Sequence, residues 1–160
     1  MFQLALPTTM RMREIYTLDV MQVSPTAKTI FLDKTKNGDR RQVPMFPECI
    51  ELLARPWPAL EAVRQGDRIF PFWDGNLAPK VLKETTYRLS RSFSDLFDEA
   101  HSADLHFHDS RHEAICRWVI ESPRPWTSEQ LGRAAGMKDV RTRQRYLSLR
   151  GSELADLFFS

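Results

Sequence analysis

The chain has 160 residues and a formal net charge of +2, with 42% hydrophobic and 28% charged residues. These values are ordinary for a soluble globular protein, and the length is enough for one domain with its own core. No apolar run approaches the roughly 20 residues that a membrane helix needs, and the N-terminus lacks the pattern of a secretory signal peptide. The sequence therefore argues against a membrane-spanning protein, and we expect no membrane partner.

The first predicted elements are helical. Residues 2–5 resemble the end of a helix that Pro7 interrupts, and a second helix is predicted to begin near Thr9. Arg11 and Glu14 lie three residues apart on this second helix and therefore share a face. Spacing alone favours a surface ion pair for these two residues.

A β-hairpin is predicted next. Residues 28–32 and 41–45 are rich in strand formers, and Asn37-Gly38 between them favours a tight turn. Lys36 stands at this turn, where its flexible side chain can extend an ammonium group beyond the sheet. Taken alone, a lysine in this position is typical of a solvated turn.

The remainder of the chain is predicted to be mostly helical. After Pro47 the sequence predicts a short helix, another around residues 59–63, and an extended segment over 68–73. The clearest helix covers residues 81–100, where a helical repeat of apolar residues predicts one buried stripe of Leu89, Phe93, Leu96 and Phe97. The expected fold class is mostly α with one small antiparallel β-sheet, an α+β fold in a single domain over 1–160.

Helix boundaries are best marked in the C-terminal third. A helix is predicted to begin at His108-Asp109, and Thr127 with Gln130 three residues later forms a capping-box pattern for the next helix. Gly136 is a predicted stop, Asp139 is a predicted cap for the helix that carries Tyr146, and residues from Gly151 onward predict a short amphipathic helix.

The two cysteines give an expectation about the compartment. Cys49 and Cys116 lie far apart in sequence, and each is flanked by residues typical of a core. This placement favours buried free thiols in a reducing cytosol. We therefore expect a cytoplasmic protein.

A cluster of cations surrounds Tyr146. Four basic residues with one acid, Asp139, among them precede this tyrosine: Lys138, Arg141, Arg143 and Arg145. Such a run is usually a solvated face, but beside a possible nucleophile it indicates a phosphate-facing, DNA-binding surface.

These residue types suit phosphodiester chemistry without a metal. Guanidinium groups are planar, permanently charged and bidentate, so two arginines can bind the non-bridging oxygens of a phosphodiester. A tyrosine can attack phosphorus, a lysine can protonate the leaving 5′-oxygen, and a histidine can stabilise the phosphate or take the tyrosine proton. Fixed cations then provide the charge stabilisation that a metal would otherwise supply.

Four segments together resemble the catalytic domain of the tyrosine recombinases, the phage integrase family, over nearly the whole chain. TTMRMRE resembles the family's first-arginine motif and gives Arg11; TKNGDRRQVP resembles its lysine hairpin and gives Lys36. HDSRH is similar to its His-x-x-Arg box and gives His108 and Arg111, and GMKDVRTRQRYL ends in the nucleophile position, Tyr146. Each motif alone is a weak indicator of the family, but the four motifs in the family's order and at family-like separations are together a strong one.

The resemblance implies a fold and an activity. It implies the fold of DNA breaking-rejoining enzymes and a site-specific recombinase or integrase that cuts and rejoins DNA through a 3′-phosphotyrosyl intermediate, with no cofactor and no metal. Its partners would be double-stranded DNA and other copies of itself, as a tetramer on recombining DNA and a monomer when free. It also implies a bacterial or phage-encoded catalytic domain lacking the N-terminal core-binding domain and most of the first catalytic-domain helix.

Two positions depart from the family pattern. Met137 occupies the sixth family position, where a histidine or tryptophan is usual, and methionine offers no N–H to a phosphate oxygen. Thr9 stands where a glycine is usual, which points to a local backbone difference. Two further residues are candidate supports. Glu14 is expected to be a buried support for Arg11 or a neighbouring loop and not a catalytic acid, and His112 is either a second active-site histidine or a packing residue.

Three alternatives compete with this interpretation. Met137 and the short chain favour a catalytically impaired DNA-binding fragment. The four histidines, of which His108 and His112 are spaced to chelate on a helix, allow a metal-dependent hydrolase, although Asp109 stands where a zinc protease would carry Glu. A type IB topoisomerase shares the chemistry but differs in flanking architecture.

Overall fold

The structure is a computed structural model that describes residues 1–33, 40–54 and 67–150. Within these ranges the chain forms seven α-helices and a three-stranded sheet. The helices, in chain order, are α1 (Phe2–Thr8), α2 (Met12–Tyr16), α3 (Pro47–Ala54), α4 (Pro79–Glu99), α5 (Asp109–Glu121), α6 (Ser128–Ala135) and α7 (Val140–Leu147). The predicted fold class, mostly helical with a small antiparallel sheet, is confirmed.

The sheet has the antiparallel order β1-β2-β3, formed by β1 (Val23–Ser24), β2 (Thr29–Leu32) and β3 (Arg41–Pro44). Strands β2 and β3 are the two arms of the predicted hairpin, whereas the two-residue β1 is too short to leave a period-two pattern in the sequence. Arg41 lies opposite Leu32 in this register. Both side chains are on the buried face, so a charged residue enters the interior from this strand.

The core includes residues of α1, α5 and the sheet, and α1 packs against α5. Helix α5 buries Ile115, Trp118 and Val119, in agreement with its predicted apolar face. Full burial of a large apolar side chain stabilises a fold by roughly 1.5–3 kcal/mol, so this stripe fixes α5 against its neighbours. The buried Trp118 Nε1 also donates to the Pro7 carbonyl at 2.8 Å, which holds the end of α1 on α5.

Helix α4 packs through aromatic residues. Leu89 and Phe97 are each 8% exposed, and Phe93 lies 4.6 Å from Phe107 between ring centroids. The prediction that Leu96 belongs to this stripe is wrong, because Leu96 is 55% exposed. The packed face of α4 is formed by Leu89, Phe93 and Phe97, at positions i, i+4 and i+8. Leu96, at i+7, lies outside this face.

Two other expectations differ from the structure. Pro7 lies inside α1 instead of interrupting it, and residues 68–73 form turns and one isolated bridge, Asp19 with Arg68, instead of one extended segment. The predicted helices at 59–63 and beyond Gly151 fall outside the described residues. Among the helices described, none is long and apolar enough to cross a membrane.

Candidate active site

Arg111 lies in the first turn of α5 and is 7% exposed. Its guanidinium donates to the Thr9 carbonyl and, at 2.5 Å, to the Ala135 carbonyl, so it connects the end of α1 with the end of α6. Burial, together with the positive charges of Arg11 and Arg41, lowers the pKa of Arg111 to about 10. The group is therefore still charged at neutral pH, in a site that already holds excess positive charge.

Arg11 is the N-cap residue of α2 and forms a capping box with Glu14. The Arg11 backbone N–H donates to Glu14 Oε2 at 2.7 Å, and Arg11 Nη1 donates to Glu14 Oε1 at 3.0 Å. The remaining amino group, Nη2, reaches the Gly136 carbonyl at 3.4 Å. The Arg11 side chain keeps 26% of its surface exposed, so it can reach a ligand from solvent.

Glu14 is buried at 7% exposure, so the expectation of a surface ion pair with Arg11 is wrong. Arg41 contacts the same carboxylate, donating from Nη2 to Glu14 Oε2 at 2.7 Å. Burial acts to raise the pKa of Glu14, but the charge of Arg41 and the hydrogen bonds from Arg11 and Arg41 outweigh it, so the pKa is lowered. Glu14 is therefore an ionised link between two arginines.

The sequence patterns predict no functional role for Arg41. Its signal in the sequence was the alternation of β3, in which Arg41 and Val43 point inward and Gln42 points outward. A charged residue in phase with a buried valine requires a buried counter-charge, but the sequence does not show which acidic residue supplies it.

Tyr146 lies near the end of α7, and its hydroxyl forms a hydrogen bond with Nδ1 of His112 on α5. The two rings are 5.9 Å apart between centroids. Burial raises the pKa of Tyr146 and the nearby Cys116 thiol adds to this rise, while the charge of Arg111 opposes it. The phenol is therefore protonated at neutral pH and has an imidazole nitrogen as its hydrogen-bond partner.

His108 precedes α5 as its N-cap residue, with its ring 5.5 Å from the His112 ring in an edge-on arrangement. Burial lowers the pKa of His108, and His112 and Arg111 lower it further. His108 is consequently neutral at pH 7, and a neutral imidazole still has one N–H to donate.

Lys36, the predicted general acid, lies outside the described residues. Met137 follows Gly136, is half-buried, and donates its backbone N–H to the Gly132 carbonyl at 2.9 Å. Its side chain packs against the core and lines an open groove of about 820 Å³ between the sheet and α6.

The four predicted DNA-binding cations differ in their surroundings. Lys138, Arg141 and Arg145 are exposed. Arg143 is half-buried and donates to the Ser128 carbonyl at 3.0 Å and the Lys138 carbonyl at 3.4 Å. Arg143 therefore ties α7 to α6, in addition to any contact it makes with a ligand.

The histidines do not form a metal-binding group in the part of the chain that the structure describes. No set of three or more His, Cys, Asp or Glu side chains there is close enough to hold a metal ion. Of the four histidines, His106 instead contacts Asp104 and Asp109. Cys49 and Cys116 are both free, Cys49 buried and Cys116 half-buried, and burial raises the pKa of the Cys49 thiol to about 12.

The site therefore draws on residues far apart in sequence. Hydrogen bonds join Arg11, Glu14 and Arg41 into one cluster, and Arg111 binds the Ala135 carbonyl next to it. His108, His112 and Tyr146 form a second group. The positive charge of Arg111 acts on Tyr146 and links the two groups. Guanidinium groups next to a phenol with a proton acceptor can bind a phosphodiester and attack it.

Comparison with known proteins finds integrases and recombinases among the similar sequences. A Haemophilus influenzae protein assigned as an integrase/recombinase is 31% identical over 120 residues, covering 74% of this chain and 29% of that protein. The shufflon-specific DNA recombinase of Escherichia coli is 27% identical over 153 residues, 96% of this chain and 35% of that enzyme. The chain thus spans about a third of the length of these relatives.

Solved structures show the same fold. The site-specific recombinase XerH bound to palindromic difH substrate superposes with a TM-score of 0.67 at 18% identity, over 99% of this chain and 44% of XerH. The Phage integrase family model matches residues 1–153. The chain therefore belongs to the phage integrase family, the tyrosine recombinases.

Proposed function

We propose that this chain carries the catalytic centre of a site-specific DNA recombinase that cuts and rejoins strands through Tyr146. One observation carries the proposal. Of the chain's three tyrosines, Tyr16 is buried with its hydroxyl on Leu82 and Thr86, and Tyr87 lies exposed on α4. Tyr146 combines a histidine partner with the field of a buried arginine.

In the proposed cleavage step, the phosphoryl group moves from the 5′-oxygen of the DNA to the Tyr146 oxygen. The Tyr146 oxygen attacks phosphorus while the bond from phosphorus to the 5′-oxygen breaks, which leaves a 3′-phosphotyrosyl link and a free 5′-hydroxyl. The phenolic proton passes to Nδ1 of His112, which requires the His112 tautomer with its proton on Nε2. Lys36 supplies the proton to the leaving 5′-oxygen, and attack by a partner strand's 5′-hydroxyl reverses the step.

Arg11 and Arg111 stabilise the charge that develops on the non-bridging oxygens. Both are held by carbonyl or carboxylate partners before DNA arrives, so little reorganisation is needed during the reaction. Removing one preorganised donor in comparable sites costs about 10²–10³ in rate. Neutral His108 adds an N–H donor, and no step requires a metal or cofactor.

Double-stranded DNA is the proposed partner. The exposed Lys138, Arg141 and Arg145 flank the tyrosine helix and can contact phosphates without reading bases. XerH, which shares the fold, was solved bound to its difH substrate. We further infer that recombination brings four protomers to two DNA sites and that the free chain is a monomer.

A DNA-binding fragment with impaired catalysis is the second candidate. Met137 favours it, because methionine cannot donate a hydrogen bond at a position where a donor is expected. The two candidates differ in one outcome, the formation of a covalent bond between the protein and DNA.

Nicked duplexes of randomised sequence test the proposal without a known target site. Cleavage near the nick releases a short oligonucleotide, which prevents rejoining and traps the adduct. We expect a denaturation-resistant adduct that forms in the presence of a chelator and disappears in Tyr146→Phe.

Tyr87→Phe is the matched control, because it removes the same hydroxyl from an exposed tyrosine on α4. It should form the adduct at the wild-type rate. An adduct that persists in Tyr146→Phe would refute Tyr146 as nucleophile, loss in chelator would favour the metal-dependent alternative, and DNA binding without any adduct would favour the impaired fragment.

A further inference from the structure

Three consecutive carbonyls at the end of α6 each accept a hydrogen bond from a different arginine. The Ala134 carbonyl accepts from Arg41, the Ala135 carbonyl accepts from Arg111, and the Gly136 carbonyl accepts from Arg11. The last carbonyls of a helix lack partners within the helix and carry its negative partial charge, so they suit cations. The C-terminal turn of α6 thus gathers three guanidinium groups.

Arg41 differs from Arg11 in its access to a ligand. Its side chain is 3% exposed, whereas the Arg11 side chain is 26% exposed. The Arg41 guanidinium is held by the Glu14 carboxylate and the Ala134 carbonyl. The route from Arg41 to the reaction then runs through Glu14, which also contacts Arg11.

Glu14 is the connection between Arg41 and Arg11. Its carboxylate accepts from Arg41 Nη2 at 2.7 Å and from Arg11 Nη1 at 3.0 Å, and it also caps the Arg11 backbone N–H at 2.7 Å. With Arg41 fixed to both Glu14 and Ala134, the carboxylate has little freedom to turn. The direction of the Arg11 guanidinium is set by this carboxylate and the Gly136 carbonyl together.

We propose that Arg41 is a positioning residue, which orients Arg11 through Glu14 and holds α2 and β3 on the C-terminal turn of α6. This role deepens the proposed strand cleavage and rests on it where activity is the readout. Because Arg41 contributes a charge and two directed hydrogen bonds, lysine should preserve part of the effect and methionine none of it.

The first test measures the Arg11 side chain directly and needs no DNA. Arginine side-chain nitrogen NMR reports exchange of the Nε proton and rotation of each guanidinium. In Arg41→Met, with the fold verified from the backbone spectrum, we expect Arg11 to exchange faster and rotate more freely, with an intermediate result in Arg41→Lys. Arg13→Met, an exposed change on the same helix α2, is the matched control and should leave Arg11 unchanged.

Unchanged Arg11 signals in a folded Arg41→Met or Arg41→Lys protein would overturn the proposal. Equal loss of Arg11 order in Arg13→Met would do the same, because it would reveal a general effect of substitution on α2. This measurement remains readable even if the chain forms no DNA adduct.

The second test is a double-mutant cycle on adduct formation with Arg11→Ala, Arg41→Met and the combined variant. Displacing a positioned group by about 1 Å can cost about 10²-fold in rate, so we expect Arg41→Met to slow adduct formation by up to about that factor. DNA affinity should change less than about twofold, since Arg41 contacts no phosphate. In the Arg11→Ala background, Arg41→Met should have no further effect.

An equal slowing by Arg41→Met in both backgrounds would contradict action through Arg11 and indicate a general structural role. Failure of the proposed function gives a different result, namely no adduct in the wild type or an adduct that survives Tyr146→Phe. The two failures are therefore distinguishable, and the NMR measurement then decides the role of Arg41.

Discussion

Met137 stands at the junction between the arginine cluster and the tyrosine helix. Its backbone N–H closes the end of α6 on Gly132, and its thioether side chain packs against the core. The backbone contact is available to any residue except proline, so a different side chain can occupy this position without loss of the turn. What methionine lacks is a donor for a phosphate oxygen.

Met137→His should speed covalent adduct formation. One preorganised donor to a developing negative charge is worth about 10²–10³ in rate in comparable sites, and a new donor on this turn should recover at least about tenfold. Single-turnover adduct formation measures the change, with Met137→Leu as an apolar control of similar volume. A rate in Met137→His no higher than in Met137→Leu would argue against the missing donor as a limit.

At the level of single residues, sequence patterns predict only some of the residues in the site. The segments that gave Arg11, Arg111 and Tyr146 point to residues that the structure brings into one site. Arg41 was missed because its partners, Glu14 and Ala134, are distant in sequence and no local periodicity identifies a buried ion pair. Whether a charged side chain is buried depends on which other segments of the chain pack over it, and this packing is a property of the tertiary structure.

At the scale of elements, capping chemistry predicted the C-terminal helices well. Thr127 accepts from the Gln130 backbone N–H at 3.2 Å, Gly136 ends α6 with φ of 66°, and Asp139 accepts from the Thr142 backbone N–H at 2.8 Å. These signals are local, so they can be read from the sequence. Pro7 within α1 could not be predicted, because Trp118 binds its carbonyl from 111 residues away.

Helix α1 ends at Thr9 in the left-handed conformation, with φ of 55°, which a β-branched residue adopts at a cost of roughly 1–2 kcal/mol. The Thr9 side chain is fully buried, and among the described residues the Thr9 hydroxyl has no hydrogen-bond partner. The expectation that Thr9 in place of a glycine is a backbone matter agrees with this geometry. The Arg111 guanidinium holds the Thr9 carbonyl, so the strained residue lies directly beside the site.

Thr9→Gly should stabilise the protein by about 1 kcal/mol, because relief of the backbone strain and loss of the unpaired hydroxyl exceed the greater chain entropy of glycine when unfolded. The expected rise in melting temperature is about 2–4 °C by calorimetry. Gly136→Ala is the converse change at the end of α6 and should destabilise, since its Cβ would lie 3.0 Å from Arg41 Cδ. A lower melting temperature for Thr9→Gly would contradict the strain account.

At the scale of the whole molecule, the fold brings residues 9–11 next to residues 111 and 136. The hydrogen bond from Arg111 to Thr9 spans 102 residues, and the bond from Arg11 to Gly136 spans 125. The packing of α1 on α5 therefore creates the site. Sequence patterns predicted most of the described helices and the two paired strands β2 and β3 but not this packing. Without the family resemblance the separate motifs would have remained isolated candidates.

Chemical identification of the linkage tests the central claim most directly. Adducts formed on nicked duplexes of randomised sequence are digested with nuclease and trypsin, and the modified peptide is sequenced by mass spectrometry. Because Arg145 and Arg150 flank it, Tyr146 should appear in the peptide YLSLR carrying a nucleotide joined through its 3′-phosphate. A nucleotide on Tyr16, Tyr87 or any other residue, or a link through a 5′-phosphate, would contradict the account.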